Sequence, residues 1–395
     1  RVKELSWPEL KRQVGAMAAA LRRMGVGRGD RVCAVLPNRP ETAVVFLAVA
    51  SLGAIWSICS PDMGPVAVLD RFRQIEPKVL VACDGYRWAG QAHDRQPLLR
   101  ELLAGLPSVQ HVALWRLLDE SIQPQQYADH GRQAHDLAQL LSGTEAVEPE
   151  WLPVDHPRWV VYSSGTAGLP KPIVHGHGGV MLEGLKLGTL HNNLGPTLLT
   201  GDRYHWYSST GWIMWNNQVA ALLGGTTICL FDGNPAGAGS GAGLGKEADW
   251  STLWRFVGLS GATFFGSGAA FYASCLKAQV QPMQVADLSQ LRAIGSTGSP
   301  LADECYHWIW ANCPKVDGHD IWLTPMSGGT DFAGAFIAGL PTLPTVAGEM
   351  QCRCLGAAVE AWDEQGKALV DEVGELVCVK PMPSMPLRLW GDTDG

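Results

Sequence analysis

The sequence predicts an α/β protein with parallel sheets flanked by helices and a β-rich segment near its end. Three observations carry this: short apolar runs alternate with amphipathic stretches, the apolar runs are continuous, and turn residues separate them. Leu10, Val14, Met17, Leu21 and Met24 recur at steps of four and three. Ser6 stands where an N-cap belongs and Gly25 where a helix stops, so the first element is an amphipathic helix. Arg31 to Leu36 reads as a strand, Pro40 opens a helix, and Ala54 to Cys59 and Lys78 to Cys83 read as further strands. Residues 42 to 60 carry no charge and approach the length of a membrane span, but Gly53, several serines and Pro61 interrupt them. A buried helix ending near Gly53, followed by a strand, is the expected reading.

Further along, Glu120 to Pro153 is polar and is expected to cross the surface between subdomains. Gly233 to Gly245 is a glycine-rich loop without dinucleotide-binding spacing. Cys354 to Trp362 and Gly374 to Lys380 read as β segments joined by a turn at Asp363-Glu-Gln-Gly. The organisation expected is an α/β subdomain over 1–150, a second over 151–347 with a phosphate-binding loop, and a β-rich subdomain over 348–395.

The 395 residues are 46% hydrophobic and 17% charged, the balance of a packed enzyme and not of a disordered chain. A net charge of −8 with no Lys/Arg cluster argues against a nucleic-acid partner, though a small anion still fits a local positive pocket. The ten cysteines include no CxxC pair, and the start of the chain has no signal-peptide pattern. Both point to reduced thiols and a cytoplasmic location. Cys352-x-Cys354 lacks two further zinc ligands, and His175 and His177 lack a third.

Function is read from Tyr162-Ser-Ser-Gly-Thr-Ala-Gly-Leu-Pro-Lys171, which follows the apolar run Trp159-Val-Val. Ser163, Ser164 and Thr166 supply hydroxyl donors, Gly165 and Gly168 let backbone N–H groups approach, and Lys171 adds a cation. Those are the needs of a polyphosphate, although the spacing is not that of a Walker A loop. A plain Ser/Gly turn is the competing reading. Ile294-Gly-Ser-Thr-Gly-Ser-Pro-Leu301 and Met326-Ser-Gly-Gly-Thr-Asp331 repeat the chemistry further on, and no Gly-x-Ser-x-Gly hydrolase elbow occurs.

Together these three loops resemble the adenylate-forming superfamily of acyl-CoA synthetases, luciferases and peptide-synthetase adenylation domains, over about Leu5 to Gly395. Ser327-Gly-Gly-Thr-Asp, Pro341-Thr-Leu-Pro, Gly348-Glu-Met-Gln, Gly374-Glu-Leu-Val-Cys and Lys380-Pro-Met-Pro-Ser-Met-Pro look most like the branch that uses acetoacetate. The resemblance implies the superfamily's large N-terminal domain and an AMP-forming acid–thiol ligase joining acetoacetate to CoA, with ATP, CoA and Mg²⁺ required. It also implies a stretch before the first helix and, beyond Gly395, a ribose-binding aspartate and a small C-terminal domain with a catalytic lysine. Those are absent from these residues.

Carried over by resemblance, Ser163, Ser164, Gly165, Thr166, Ala167, Gly168 and Lys171 hold the β and γ phosphates. Ala167 stands where most relatives have a hydroxyl residue, and Pro172 where many have Gly. Gly298, Ser299 and Pro300 pack on adenine; Ser327, Gly329 and Thr330 complete the ATP site. Thr330 and Lys171 are the expected catalytic residues, and Asp331 the Mg²⁺ ligand in place of the family's Glu. Ile213, Met214, Thr297 and Gly328 form the acyl pocket, with Gly328 where acetate-using relatives carry Trp. Trp212 and Trp215 are read equally as core or as ligand contacts. A ligase for another short acid, or a non-catalytic nucleotide-binding module, stays open.

Overall fold

The computed structural model describes residues 2–163, 168–238 and 247–392. Ser164, Gly165, Thr166 and Ala167, the tip of the expected phosphate loop, lie outside the described residues, as does most of the Gly233–Gly245 loop.

The first helix spans Trp7–Arg23, with the Ser6 hydroxyl accepting from the Glu9 N–H and Met17 and Leu21 fully buried. Strands Arg31–Val35, Ile55–Cys59, Val79–Cys83 and His111–Trp115 then pair in parallel, and the uncharged stretch resolves into the helix Pro40–Ser51 and one of these strands. No described helix is long and apolar enough to cross a membrane. Alternate residues feed opposite cores: Val79 and Val81 enter one, Leu80 and Ala82 the other. Burial on both faces explains why these strands read as unbroken apolar runs.

The sheet has eight strands among the described residues. Pro157–Ser163 joins in parallel beside Ile55–Cys59; Lys171–Gly176 and Arg388–Leu389 continue it antiparallel. Residues on both sides of position 150, and others beyond 348, therefore share one sheet.

The polar stretch after Glu120 differs from expectation. It includes a strand, Gln133–Asp136, parallel to His111–Trp115 at the sheet's edge, and a short helix, Leu137–Leu140, capped by Asp136. An edge strand needs only one paired side and one packed face, so the apolar pattern that flags interior strands is missing.

A second, all-parallel sheet of five strands contains Arg203–Trp206, Phe264–Gly268, Ala293–Thr297 and Trp322–Pro325. Gly266 and Gly295 lie side by side, and the Trp206 indole lies over both: a Cβ on either would stand 2.0 or 2.5 Å from its ring. Ser327–Gly329, Gly334–Ala338 and Cys352–Arg353 form a small antiparallel sheet, and Val359–Trp362, Ala368–Leu369 and Glu375–Cys378 another. The expected β segment from Cys354 to Trp362 is thus a strand only from Val359, because Ala357 N–H turns back to the Cys354 carbonyl. All ten cysteines are free thiols.

Candidate active site

The strands of the second sheet deliver their C-terminal ends to one place, where open α/β sheets collect ligands. Ala293–Thr297 ends at Thr297 and Gly298, Trp322–Pro325 leads to Met326 and the hairpin after it, and the loop past Trp206 leads to the helix Ile213–Ala220. These ends enclose a cavity of about 150 Å³ with the helix His177–Lys186. Ile213, Met214, Thr297, Gly298, Gly328, Gly329 and Thr330, which the sequence places far apart, all line it. Its apolar wall includes Val180 and Leu187, while Asn216 and Asn217 add amides. Trp212 lines it as well. Trp215 does not: it is fully buried, with its Nε1 donating to the Asn38 side-chain oxygen.

Gly328 has a backbone reason to be glycine. It pairs with Ala335 across the hairpin, and a Cβ there would stand 2.1 Å from the Gly334 carbonyl oxygen. Any side chain at 328 must first displace the partner strand, before it meets a ligand. Thr297 donates its hydroxyl to the Met326 carbonyl at 2.8 Å, which leaves its oxygen lone pairs to face the cavity as acceptors.

Ser163 and Lys171 are register partners on antiparallel strands and flank the phosphate-loop candidate. The Lys171 ammonium has no ion-pair or hydrogen-bond partner among the described residues. Ser299 and Pro300 occupy an exposed turn after Gly298, and Ser327 opens the hairpin; none of the three lines the cavity. Asp331 follows Thr330 at the cavity's rim, exposed, and its carboxylate is unpaired among the described residues.

The backbone of Asp331 is held. Its carbonyl accepts from His175 Nε2 at 2.8 Å, and His175 Nδ1 accepts from Trp159 Nε1 at 3.0 Å. The indole of Trp159 also lines the cavity. Burial pushes the His175 imidazole down to about 4, so it is neutral and its Nε2 tautomer is set by the two bonds. His177 does not share a ligand with it. It opens the next helix, its Nε2 is buried without a partner among the described residues, and burial together with Arg158 lowers it to about 3. Among the described residues no three His, Cys, Asp or Glu side chains form a metal cluster, and the Cys354 thiol is raised by burial to about 12.

Sequence reading passed over Trp159, Val180, Asn216, Asn217 and Ala333, which line the cavity. Only the asparagines left a signal, as the first two of three consecutive amides, Asn216-Asn-Gln218, in a helix whose other residues are apolar.

Comparison with known proteins fits this geometry. The profile of the AMP-binding enzyme family matches residues 1–385. The chain belongs to that family. This AMP-binding enzyme is 38% identical over 393 residues to the acetoacetyl-coenzyme A synthetase of Rhizobium meliloti, across 99% of the chain and 57% of the relative. It is 38% identical over 399 residues to the acetoacetyl-CoA synthetase of Mus musculus, across 99% and 56%. Its fold matches the solved acetoacetyl-CoA synthetase of Streptomyces lividans with a TM-score of 0.90 and 44% identity, covering 99% of this chain and 57% of that one. The chain spans a little over half the length of these relatives.

Proposed function

We propose that this AMP-binding enzyme supplies the ATP and acid sites of an AMP-forming ligase that joins acetoacetate to CoA. The observation that carries the reading is the cavity itself, where the acyl-pocket candidates Ile213, Met214, Thr297 and Gly328 meet Thr330 beside the exposed Asp331. The names of the relatives support the choice of acid.

A carboxylate cannot expel oxide to a thiol, so it is first made an ester of AMP. One carboxylate oxygen attacks the α-phosphorus, the bond to the bridging oxygen breaks, and pyrophosphate leaves with that electron pair. The CoA sulfur then attacks the acyl carbon and AMP departs. The first barrier is largely anion against anion, which positioning and positive charge lower. Lys171 supplies charge to the outer phosphates, and the Thr330 hydroxyl donates to the α-phosphate. Mg²⁺ suits a single exposed carboxylate shared with phosphate oxygens, so Asp331 would hold it, and it would neutralise phosphate charge. Met214, Ile213 and Val180 bury the acid's methyl end, and Thr297 and the asparagine amides face its oxygens.

The test is acid-dependent pyrophosphate release, with ATP and Mg²⁺, by the longest natural chain that carries these residues. Acetoacetate is expected to give the highest kcat/KM among acetate, butyrate and acetoacetate. Preference for another acid would make this a ligase for that acid. ATP binding without pyrophosphate release for any acid would make it a nucleotide-binding module.

A further inference from the structure

Trp159 and His175 are register neighbours in the first sheet, and Ser163 and Lys171 are register neighbours four residues along the same two strands. Side chains alternate along a strand, so all four lie on one face, with Lys171 about 13 Å from His175 by strand rise. The residue that carries the free cation and the residue that bonds Asp331 thus sit on one short, rigid strand, Lys171–Gly176. His175 is fully buried and spends both ring nitrogens: Nδ1 accepts from the indole of a cavity-wall residue, and Nε2 donates to the Asp331 carbonyl.

The helix that follows this strand grips the same hairpin at a second point. Glu183, which is buried, accepts from the Ala335 N–H at 3.2 Å and pairs with Lys186 at 2.7 Å. A Cβ on Gly334 would stand 2.4 Å from the Glu183 carboxylate, so the fit is close. His175 and Glu183 therefore hold the hairpin at two points, within the turn at Asp331 and on the strand after it at Ala335. An exposed turn with an unpaired carboxylate would otherwise sample many conformations, and each misplacement at a reacting phosphate is costly.

From this geometry we infer that His175 is a positioning residue for the reaction: through the Asp331 carbonyl it sets the Thr330 hydroxyl and Asp331 carboxylate at a fixed span from Lys171. The inference rests on the proposed ATP-binding role of those residues. His175 itself touches no substrate.

The experiment compares His175→Leu and His175→Gln with the parent in the longest natural chain. Titration calorimetry with ATP, with and without Mg²⁺, is paired with the Mg²⁺ and ATP dependence of pyrophosphate release. His175→Leu removes both bonds and is expected to lower kcat at least tenfold and raise the half-saturating Mg²⁺ several-fold, with ATP affinity in the absence of Mg²⁺ little changed. The carboxamide of His175→Gln places an N–H donor near the lost Nε2 and is expected to restore most of the Mg²⁺ response. Equal losses in both variants with an unchanged Mg²⁺ response would reduce His175 to a packing residue and overturn the inference; so would a folded Leu variant with parental kcat. If His175→Leu does not fold, Trp159→Phe, which removes only the N–H to Nδ1, is expected to shift half-saturating Mg²⁺ in the same direction, and no shift would overturn the inference. Failure of the parent chain to bind Mg-ATP would instead sink the function reading on which it stands.

Discussion

The two sheets differ in what fills their interiors: aliphatic side chains dominate the first, whereas the second sets aromatic rings against glycine. In the first sheet Val32, Ala34, Leu80, Val81, Val112 and Leu114 are fully buried aliphatic or small apolar residues packed into two cores. The second mixes slab-like aromatics with glycine: Trp206 lies across Gly266 and Gly295, and His205 stacks on Phe265 with ring centroids 5.4 Å apart. Ser267, Ser296 and Thr324 are buried there with hydroxyls that have no partner among the described residues. Such positions lower the cohesion of the second sheet. Aliphatic packing in the first sheet is the counterweight.

Four measurements would break or sharpen this contrast. The largest effect is expected from Leu80→Ala, which empties a fully buried site in the first sheet and should cost about 2–5 kcal/mol by urea denaturation. Its ATP affinity, measured on folded protein, should be parental. A lost affinity with small destabilisation would mean the first sheet is no mere support.

Acid should act first on strands that bury a neutral histidine, Arg203–Trp206 in the second sheet and Lys171–Gly176 in the first, before strands that carry none. Burial lowers His205 to about 4, its Nδ1 donates to the Cys229 carbonyl at 2.7 Å, and its Nε2 is buried without a partner. Because the folded value lies below the unfolded value near 6.5, its contribution is fully present above pH 6.5 and is lost as pH falls toward 4. That amounts to at most about 3 kcal/mol. Hydrogen exchange between pH 7 and pH 4.5 should show residues 203–206 and 264–268 losing protection before 31–35 and 79–83. The reverse order would contradict the contrast.

Next comes Gly295→Val, whose Cβ meets the Trp206 ring. Overpacking of this kind should cost about 1–3 kcal/mol, read as a shift in urea midpoint. A neutral outcome would show that the indole has room to move. The smallest effect on stability, within about 0.5 kcal/mol, is expected for Lys171→Ala, because the exposed ammonium has no partner among the described residues to lose. Calorimetry with Mg-ATP should nonetheless show about tenfold or greater weakening, as a charge-assisted contact disappears. Unchanged affinity would remove Lys171 from the site.

Local chemistry made much of the fold legible. Ser6 and the apolar steps from Leu10 to Met24 define the helix Trp7–Arg23, and continuous apolar runs mark the strands at Arg31, Ile55 and Val79. Gln133–Asp136 was illegible because its pairing to His111–Trp115, and not its own pattern, makes it a strand. The Gly- and hydroxyl-rich loops come together in space, since Thr297, Gly298, Gly328, Gly329 and Thr330 line one cavity. The contact of His175 with Asp331 joins residues 156 positions apart, and nothing in either segment announces it. Gly328 carries a second meaning of the same kind. Resemblance reads it as a missing pocket wall, whereas its closest constraint is the carbonyl of Gly334.

The pairing of Arg388 with Val174 bears on how the chain is made. During synthesis the outer edge of Lys171–Gly176 has no neighbour until residues 388–389 leave the ribosome, on the order of ten to forty seconds later. For that interval the strand that carries Lys171 offers open backbone donors and acceptors to any extended chain nearby. Slow elongation between these two segments prolongs the exposure, and a chain cut before Arg388 never ends it. A two-residue strand that forms no part of the cavity is thus what closes this edge.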